Sequence, residues 1–162
     1  VPIPGQLRLG LASVRPVHHR EERMANVVET WRGVAYPWFC DTMGHMNTQF
    51  YQMMFDGASF HFLSMMGSYS ELAKRKIGWA DVRYTTEYKH EVPAGSLLVV
   101  RSQLVRMGTK SVEFMHEMWN VETDTLHSTC VGVSVLFDLA ARKAMALEDA
   151  IRARCTALLG GS

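Results

Sequence analysis

The chain has 162 residues, 48% of them hydrophobic and 20% charged, and Lys+Arg 17 against Asp+Glu 16 leaves a net charge of +1. That balance suits a globular domain and argues against a nucleic-acid binder, which carries a large basic excess on one face. Apolar runs such as residues 97–100 fall far short of the ~20 residues a membrane-spanning helix needs, so no membrane association is expected.

Residues 1–24 hold Pro2, Pro4, Gly5, Gly10, Pro16 and the charged cluster Arg20, Glu21, Glu22 and Arg23. They read as an N-terminal extension, with one domain over 25–162 and Met24 a candidate natural start. Residues 1–20 lack the continuous apolar core of a signal peptide. Cys40, Cys130 and Cys155 are an odd number without paired spacing, which points to reduced thiols and a cytoplasmic setting.

Regular structure is expected from residue 27. The β-branched and aromatic run 27–36 reads as a strand ended by Pro37. Turn-forming residues follow to Met46, and Asn47 is a good helix N-cap. Residues 48–66 read as a helix stopped by Gly67, with Gln49, Gln52, Asp56 and Ser59 forming one narrow polar stripe. A helix apolar over most of its circumference is expected to be enclosed by other elements. A short second helix is expected over 69–76.

The remainder reads as strands at 78–89, 96–106, 110–122 and 125–138, with the separators 92–95, 107–109 and 123–124 expected to form hairpins. In the last strand Val131, Val133, Val135 and Phe137 alternate with the small Gly132 and Ser134, so one face meets a core and the other can accept a close neighbour. An amphipathic helix over 146–158 closes the chain. The expected class is α+β, a long antiparallel sheet wrapped around one apolar helix.

The segment with most chemical content is Asp41-Thr42-Met43-Gly44-His45-Met46-Asn47, just before the central helix. A carboxylate there lies near free N–H groups and the positive end of the helix dipole. Acyl transfer needs a group that attacks a carbonyl or activates water, and donors aimed at the oxyanion. Asp41 could supply the first and the N–H groups around Asn47 and Thr48 the second. A thiol of pKa ~8.5 leaves without protonation, so this apparatus suits a thioester better than an amide. The structural alternative is that Asp41 and Asn47 are turn and cap residues, with Gly44 at a positive φ.

These residues resemble the hotdog-fold acyl-CoA thioesterases of the 4-hydroxybenzoyl-CoA thioesterase type. The shared pattern is Asp41, Gly44, His45, Asn47 and Tyr51, followed by Asp56, and later Gly108, Lys110, Ser111 and Phe114. The resemblance covers residues 27–147, and Tyr36-Pro37-Trp38-Phe39-Cys40-Asp41 is similar to thioesterases of carnitine and betaine catabolism. It implies a helix gripped by a five-stranded antiparallel sheet, and a homodimer or dimer of dimers with active sites at the subunit boundary. Asp41 would be nucleophile or general base, Thr48 would offer the oxyanion-binding N–H, and His45 and Asn47 would shape the loop or hold water and thioester. Many relatives carry Glu in place of Asp56, whose shorter arm equally fits a hydrogen-bonded or intersubunit role.

An acyl-CoA substrate brings phosphates, for which Lys89, Arg106, Lys110 and Arg83 are candidate cations and Ser111 a candidate donor. Trp38, Tyr51, Trp79 and the methionines are candidates to line an acyl cavity, where aromatic rings could also hold a quaternary ammonium. The histidines lack metal-ligand spacing, so no metal is expected, and no cofactor beyond the coenzyme A of the substrate. A dehydratase or hydratase of the same fold, and a non-catalytic acyl-CoA sensor, are the alternative readings.

Overall fold

The computed structural model describes residues 26–160; the extension expected over 1–24 lies outside them. Strand β1 (Val28–Val34) leads through a 3-10 turn at Pro37–Phe39 to the central helix α1 (Thr48–Met66). The short helix α2 (Tyr69–Lys74) follows, then β2 (Ile77–Tyr88), β3 (Leu97–Met107), β4 (Ser111–Asn120) and β5 (Thr125–Asp138). A two-residue strand β6 (Lys143–Ala144) and helix α3 (Asp149–Leu158) complete the chain. The strands form one antiparallel sheet in the order β1-β3-β4-β5-β2, with β6 beside the end of β5.

Both ends of α1 follow from local chemistry. The Asn47 side chain accepts a hydrogen bond from the Gln49 N–H at 3.1 Å, and Gly67 closes the helix through its N–H to the Leu63 carbonyl. One face of α1 packs Tyr51, Met54, Phe55 and Ala58 against Leu98, Val100, Met118 and Cys130. The last turns pack Phe62, Leu63 and Met66 with Phe114, Leu136 and, from α3, Ile151 and Cys155. Each large side chain buried this way contributes about 1.5–3 kcal/mol.

Three expectations need correction. The link at 92–95 is not a hairpin: β2 pairs with β5, and β3 pairs with β1 and β4. Three strand spacings of about 4.8 Å separate β2 from β3 in the sheet, well within reach of eight residues spanning up to about 3.3 Å each. A short link therefore crosses the end of the sheet rather than turning back.

Helix α1 is not enclosed within the protomer. Gln49, Gln52, Met53, Asp56, Phe60 and Ser64 form an exposed face, with Met53 51% and Phe60 53% accessible. Ser59, read as part of the polar stripe, is instead buried. In β5 the small residues face inward and the valines are half-buried on the outer face. Phe114 fills the space over Gly132, where an added Cβ would collide with the ring.

A polar chain crosses this core. Thr30 Oγ1 lies 2.6 Å from Ser102 Oγ, which lies 2.6 Å from His116 Nδ1. His116 Nε2 lies 2.9 Å from Ser59 Oγ, which also bonds the Tyr84 hydroxyl and donates to the Phe55 carbonyl, each at 2.9 Å. The chain joins β1, β3, β4, α1 and β2, and satisfies polar groups that would otherwise be buried unpaired.

Candidate active site

Residues 40–46 form a tight turn. Cys40 and Met46 make an isolated antiparallel bridge, inside which the Asp41 N–H donates to the His45 carbonyl at 3.1 Å. Gly44 takes φ +86, and its N–H returns to the Asp41 carbonyl. That conformation carries little steric cost only for glycine. The Asp41 side chain is exposed and accepts a 2.8 Å hydrogen bond from the Met43 N–H.

The turn delivers the chain to α1 with its next N–H groups assigned. Met46 N–H donates to the Val92 carbonyl and Asn47 N–H to the Phe39 carbonyl, each at 2.9 Å. Within the helix Gln49 N–H goes to the Asn47 side chain and Phe50 N–H to the Asn47 carbonyl. The Thr48 N–H is left without an acceptor among the described residues. It stands at the positive end of a 19-residue helix that has no acidic residue in its first turn.

Thr48 lines a cavity of about 300 Å³ together with His45, Met46, Tyr51, Tyr88, Lys89, His90 and Glu91. His45 Nε2 lies 3.2 Å from Glu91 Oε1, and Lys89 Nζ 2.7 Å from Glu87 Oε2. Tyr51 meets Tyr88 edge-on at 5.1 Å. Burial pushes the Tyr51 phenol up to about 12, against the opposing pull of a hydrogen bond with the Val92 backbone. It therefore stays protonated at neutral pH. The residues converging here offer a helix-end N–H, an imidazole, an ammonium and a phenol around one space.

Five candidates from the sequence line this cavity: His45, Met46, Thr48, Tyr51 and Lys89. Asp41 and Asn47 belong to the adjoining turn and cap. The other candidates lie elsewhere. Trp38 is 69% exposed and stacked on Tyr36 at 4.5 Å, away from the cavity lining. Asp56 sits on the exposed face of α1. Arg106 pairs with Glu113 at 3.0 Å, and Arg83 approaches the same carboxylate at 4.0 Å.

Arg106, Lys110, Ser111 and Trp79 occupy the end of the sheet opposite the cavity. Ser111 pairs with Val135 and Val135 with Ala80, near the start of β2, whereas Lys89 follows the end of that strand. The expected cations therefore do not converge within one protomer, because the strands that carry them run the full length of the sheet. Tyr88, His90 and Glu91 are the cavity residues that sequence reasoning missed. Tyr88 ends β2, and His90 and Glu91 belong to the connecting segment after it, which carries no recognisable motif. A second depression of about 320 Å³, lined by Arg32, Gly33, Val34, Leu97, Leu98 and Val121, contains none of the candidate residues.

The segment after β2 is fastened to β5. The His127 carbonyl accepts from the N–H groups of Lys89 at 2.8 Å and His90 at 3.1 Å. His127 Nδ1 lies 3.2 Å from the His90 carbonyl oxygen, while His90 Nδ1 lies 2.9 Å from that of Leu126. Burial pushes the His127 pKa down, with the His90 and Glu91 carbonyls acting in the opposite direction.

An antiparallel sheet curled around one long helix, with α3 closing its far end, defines a hotdog-like α+β protein. The thioesterase-like superfamily matches residues 35–155, and the chain belongs to that family. Among solved structures it is similar to YbaW, a probable thioesterase from Escherichia coli, at 21% identity and a TM-score of 0.69. That alignment covers 76% of this chain and 93% of that one. A hypothetical protein from Staphylococcus aureus, solved in complex with CoA, aligns at 17% identity and a TM-score of 0.76, over 83% of this chain and 86% of that one. A 1,4-dihydroxy-2-naphthoyl-CoA thioesterase from Synechocystis aligns at 16% identity and a TM-score of 0.67, over 80% and 95%. No curated protein matches the chain. Among the described residues no helix is long and apolar enough to cross a membrane.

Proposed function

We propose that the protein is an acyl-CoA thioesterase, which hydrolyses an acyl-CoA to the free acid and coenzyme A. The observation that carries this reading is the unpartnered Thr48 N–H, at the start of α1 in a cavity wall, one turn of chain beyond Asp41. A thioester carbonyl oxygen seated on that N–H gains stabilisation as it becomes an oxyanion. Asp41 either attacks the carbonyl carbon itself or removes a proton from a water that does so. The C–S bond then breaks and the thiolate departs without a general acid, since thiols ionise near pH ~8.5; where Asp41 is the nucleophile, a water then hydrolyses the acyl–Asp41 anhydride, which frees the acid and restores the carboxylate. His45, beside Glu91 in the wall, orients the thioester or the water.

The site is completed by a second copy. Strand β2 is an edge strand whose outer hydrogen-bonding groups are unpaired in the sheet. Pairing it antiparallel with β2 of another copy about a two-fold axis sets the Ile77 end of one strand beside the Tyr88 end of the other. The second copy's Lys110 and Ser111 then approach the first copy's cavity and suit the phosphates of coenzyme A. The exposed side of α1, including Asp56, would face the same boundary. The family membership and the CoA complex of the Staphylococcus aureus neighbour support an acyl-CoA as the substrate.

The deciding experiment is thiol release from a panel of aliphatic, aryl and betainyl CoA esters. At least one ester is expected to be turned over, with the free acid as product. Tight acyl-CoA binding without thiol release over hours would instead mark a sensor, and loss of enoyl absorbance without thiol release a hydratase.

A further inference from the structure

We infer that His127 is a positioning residue, which sets the cavity wall formed by residues 88–91; only its kinetic readout rests on the thioesterase reading. His127 is 4% exposed, and its Nδ1 faces the carbonyl oxygen of His90 at 3.2 Å. A carbonyl only accepts, so Nδ1 carries the proton and Nε2 keeps a bare lone pair. Nε2 is buried and has no partner among the described residues.

An imidazole placed this way is an unfavourable choice for packing alone. A hydrocarbon of similar size would fill the space without burying an unsatisfied nitrogen. What the imidazole adds is direction: its Nδ1–H holds the His90 carbonyl while its own main-chain carbonyl holds the N–H groups of Lys89 and His90. With His90 Nδ1 donating back to the Leu126 carbonyl, four hydrogen bonds lock residues 89–90 onto β5.

The opposite side of the same segment bears on the catalytic turn. Val92 receives the Met46 N–H at 2.9 Å, and Pro93 bridges to His45. The segment is therefore fixed to a strand on one side and to the turn that begins α1 on the other. Releasing the His127 ring from His90 frees a wall that supplies half the residues around the cavity. Substrate binding should suffer first, because the Thr48 N–H is set by the Asn47 cap of α1 and is linked to this segment only through the neighbouring Met46–Val92 bond and the His45–Pro93 bridge.

Two substitutions separate this role from simple packing. In His127→Asn the side-chain amide falls near the position of Nδ1 and can still donate to the His90 carbonyl. In His127→Gln the amide falls nearer Nε2 and cannot make that bond without displacement. In the full-length protein, hydrogen exchange of amides 89–92 is expected to speed up about tenfold or more in the Gln variant and stay within about twofold of wild type in the Asn variant, with α3 unchanged in both. With an acyl-CoA that the wild type hydrolyses, the Gln variant should raise KM about tenfold with kcat within about twofold, and the Asn variant should restore it.

Equal behaviour of the two variants overturns the inference, as does a Gln variant with wild-type exchange and KM, or loss of the fold in the Asn variant. If the wild type releases no thiol from any ester, the functional reading falls, and the exchange comparison alone decides the role of His127.

Discussion

His116 Nε2 lies 2.9 Å from Ser59 Oγ in the core, and this contact joins the sheet to helix α1. Burial pushes the His116 pKa down to about 3, so the ring is neutral in the folded protein at any ordinary pH. An unfolded histidine titrates near ~6.5. Between those two values the unfolded chain holds a proton that the folded chain refuses, so stability rises with pH through that window and is lost as pH falls. Urea unfolding from pH 7 to pH 4 should show a slope approaching ~1.4 kcal/mol per pH unit from this group. His127, whose pKa burial also pushes down, adds to it. A His116→Asn variant should be less stable at pH 7 and show a flatter dependence; an unchanged slope would mean that another group is responsible.

In the proposed mechanism Asp41 has two separable duties. Its side chain closes the turn by accepting from the Met43 N–H, a bond an asparagine oxygen can also accept. Asp41→Asn should therefore keep the melting temperature and the circular dichroism spectrum of the wild type. Thiol release from the best ester should fall by about 10²–10⁴-fold, the range for losing a positioned acid–base group. Full turnover by a folded Asn variant would remove Asp41 from the mechanism.

The cap of α1 serves both the fold and the proposed chemistry. Asn47→Ala deletes the acceptor for the Gln49 N–H and should cost about 1 kcal/mol, a shift of roughly 2–4 °C in Tm for a chain of this size. Asn47→Ser should recover most of that loss. A calorimetric scan of the two variants beside the wild type measures it directly.

If the proposed site takes Asp41 from one copy and Lys110 from the other, two defective proteins should repair each other. In a heterodimer of Asp41→Asn with Lys110→Ala, one site inherits both defects and the other neither. Random mixing of the two after dissociation should then restore about a quarter of the wild-type rate. Activity no greater than the sum of the separate variants would place both residues in the same copy.

The parts of this fold legible from sequence are those that neighbours along the chain decide. Residues 48–66 could be bounded because Asn47 and Gly67 are local start and stop signals, and the structure puts α1 at those limits. The pairing of β2 with β5 was not legible, since the crossing segment 89–96 has the length and composition of a turn. Met53 and Phe60 misled for a related reason: an apolar residue on a helix does not reveal whether its own chain or another covers it. The cap and turn residues of the candidate site follow from a compact motif, whereas Tyr88, His90 and Glu91 reach the cavity only through tertiary folding. One sequence signal does point to a tertiary contact. His116 shares an inward register with Val112, Phe114 and Met118, and a histidine among such neighbours implies partners such as Ser59 and Ser102.

The separation of Lys89 from Lys110 along the sheet carries a consequence for how much protein a cell must make. If each reaction centre draws on both ends of two sheets, a solitary chain is inert, and output per molecule falls on dilution once copies part faster than they meet. Initial rates would then scale with more than the first power of protein concentration at the lowest loadings, and straighten as association saturates.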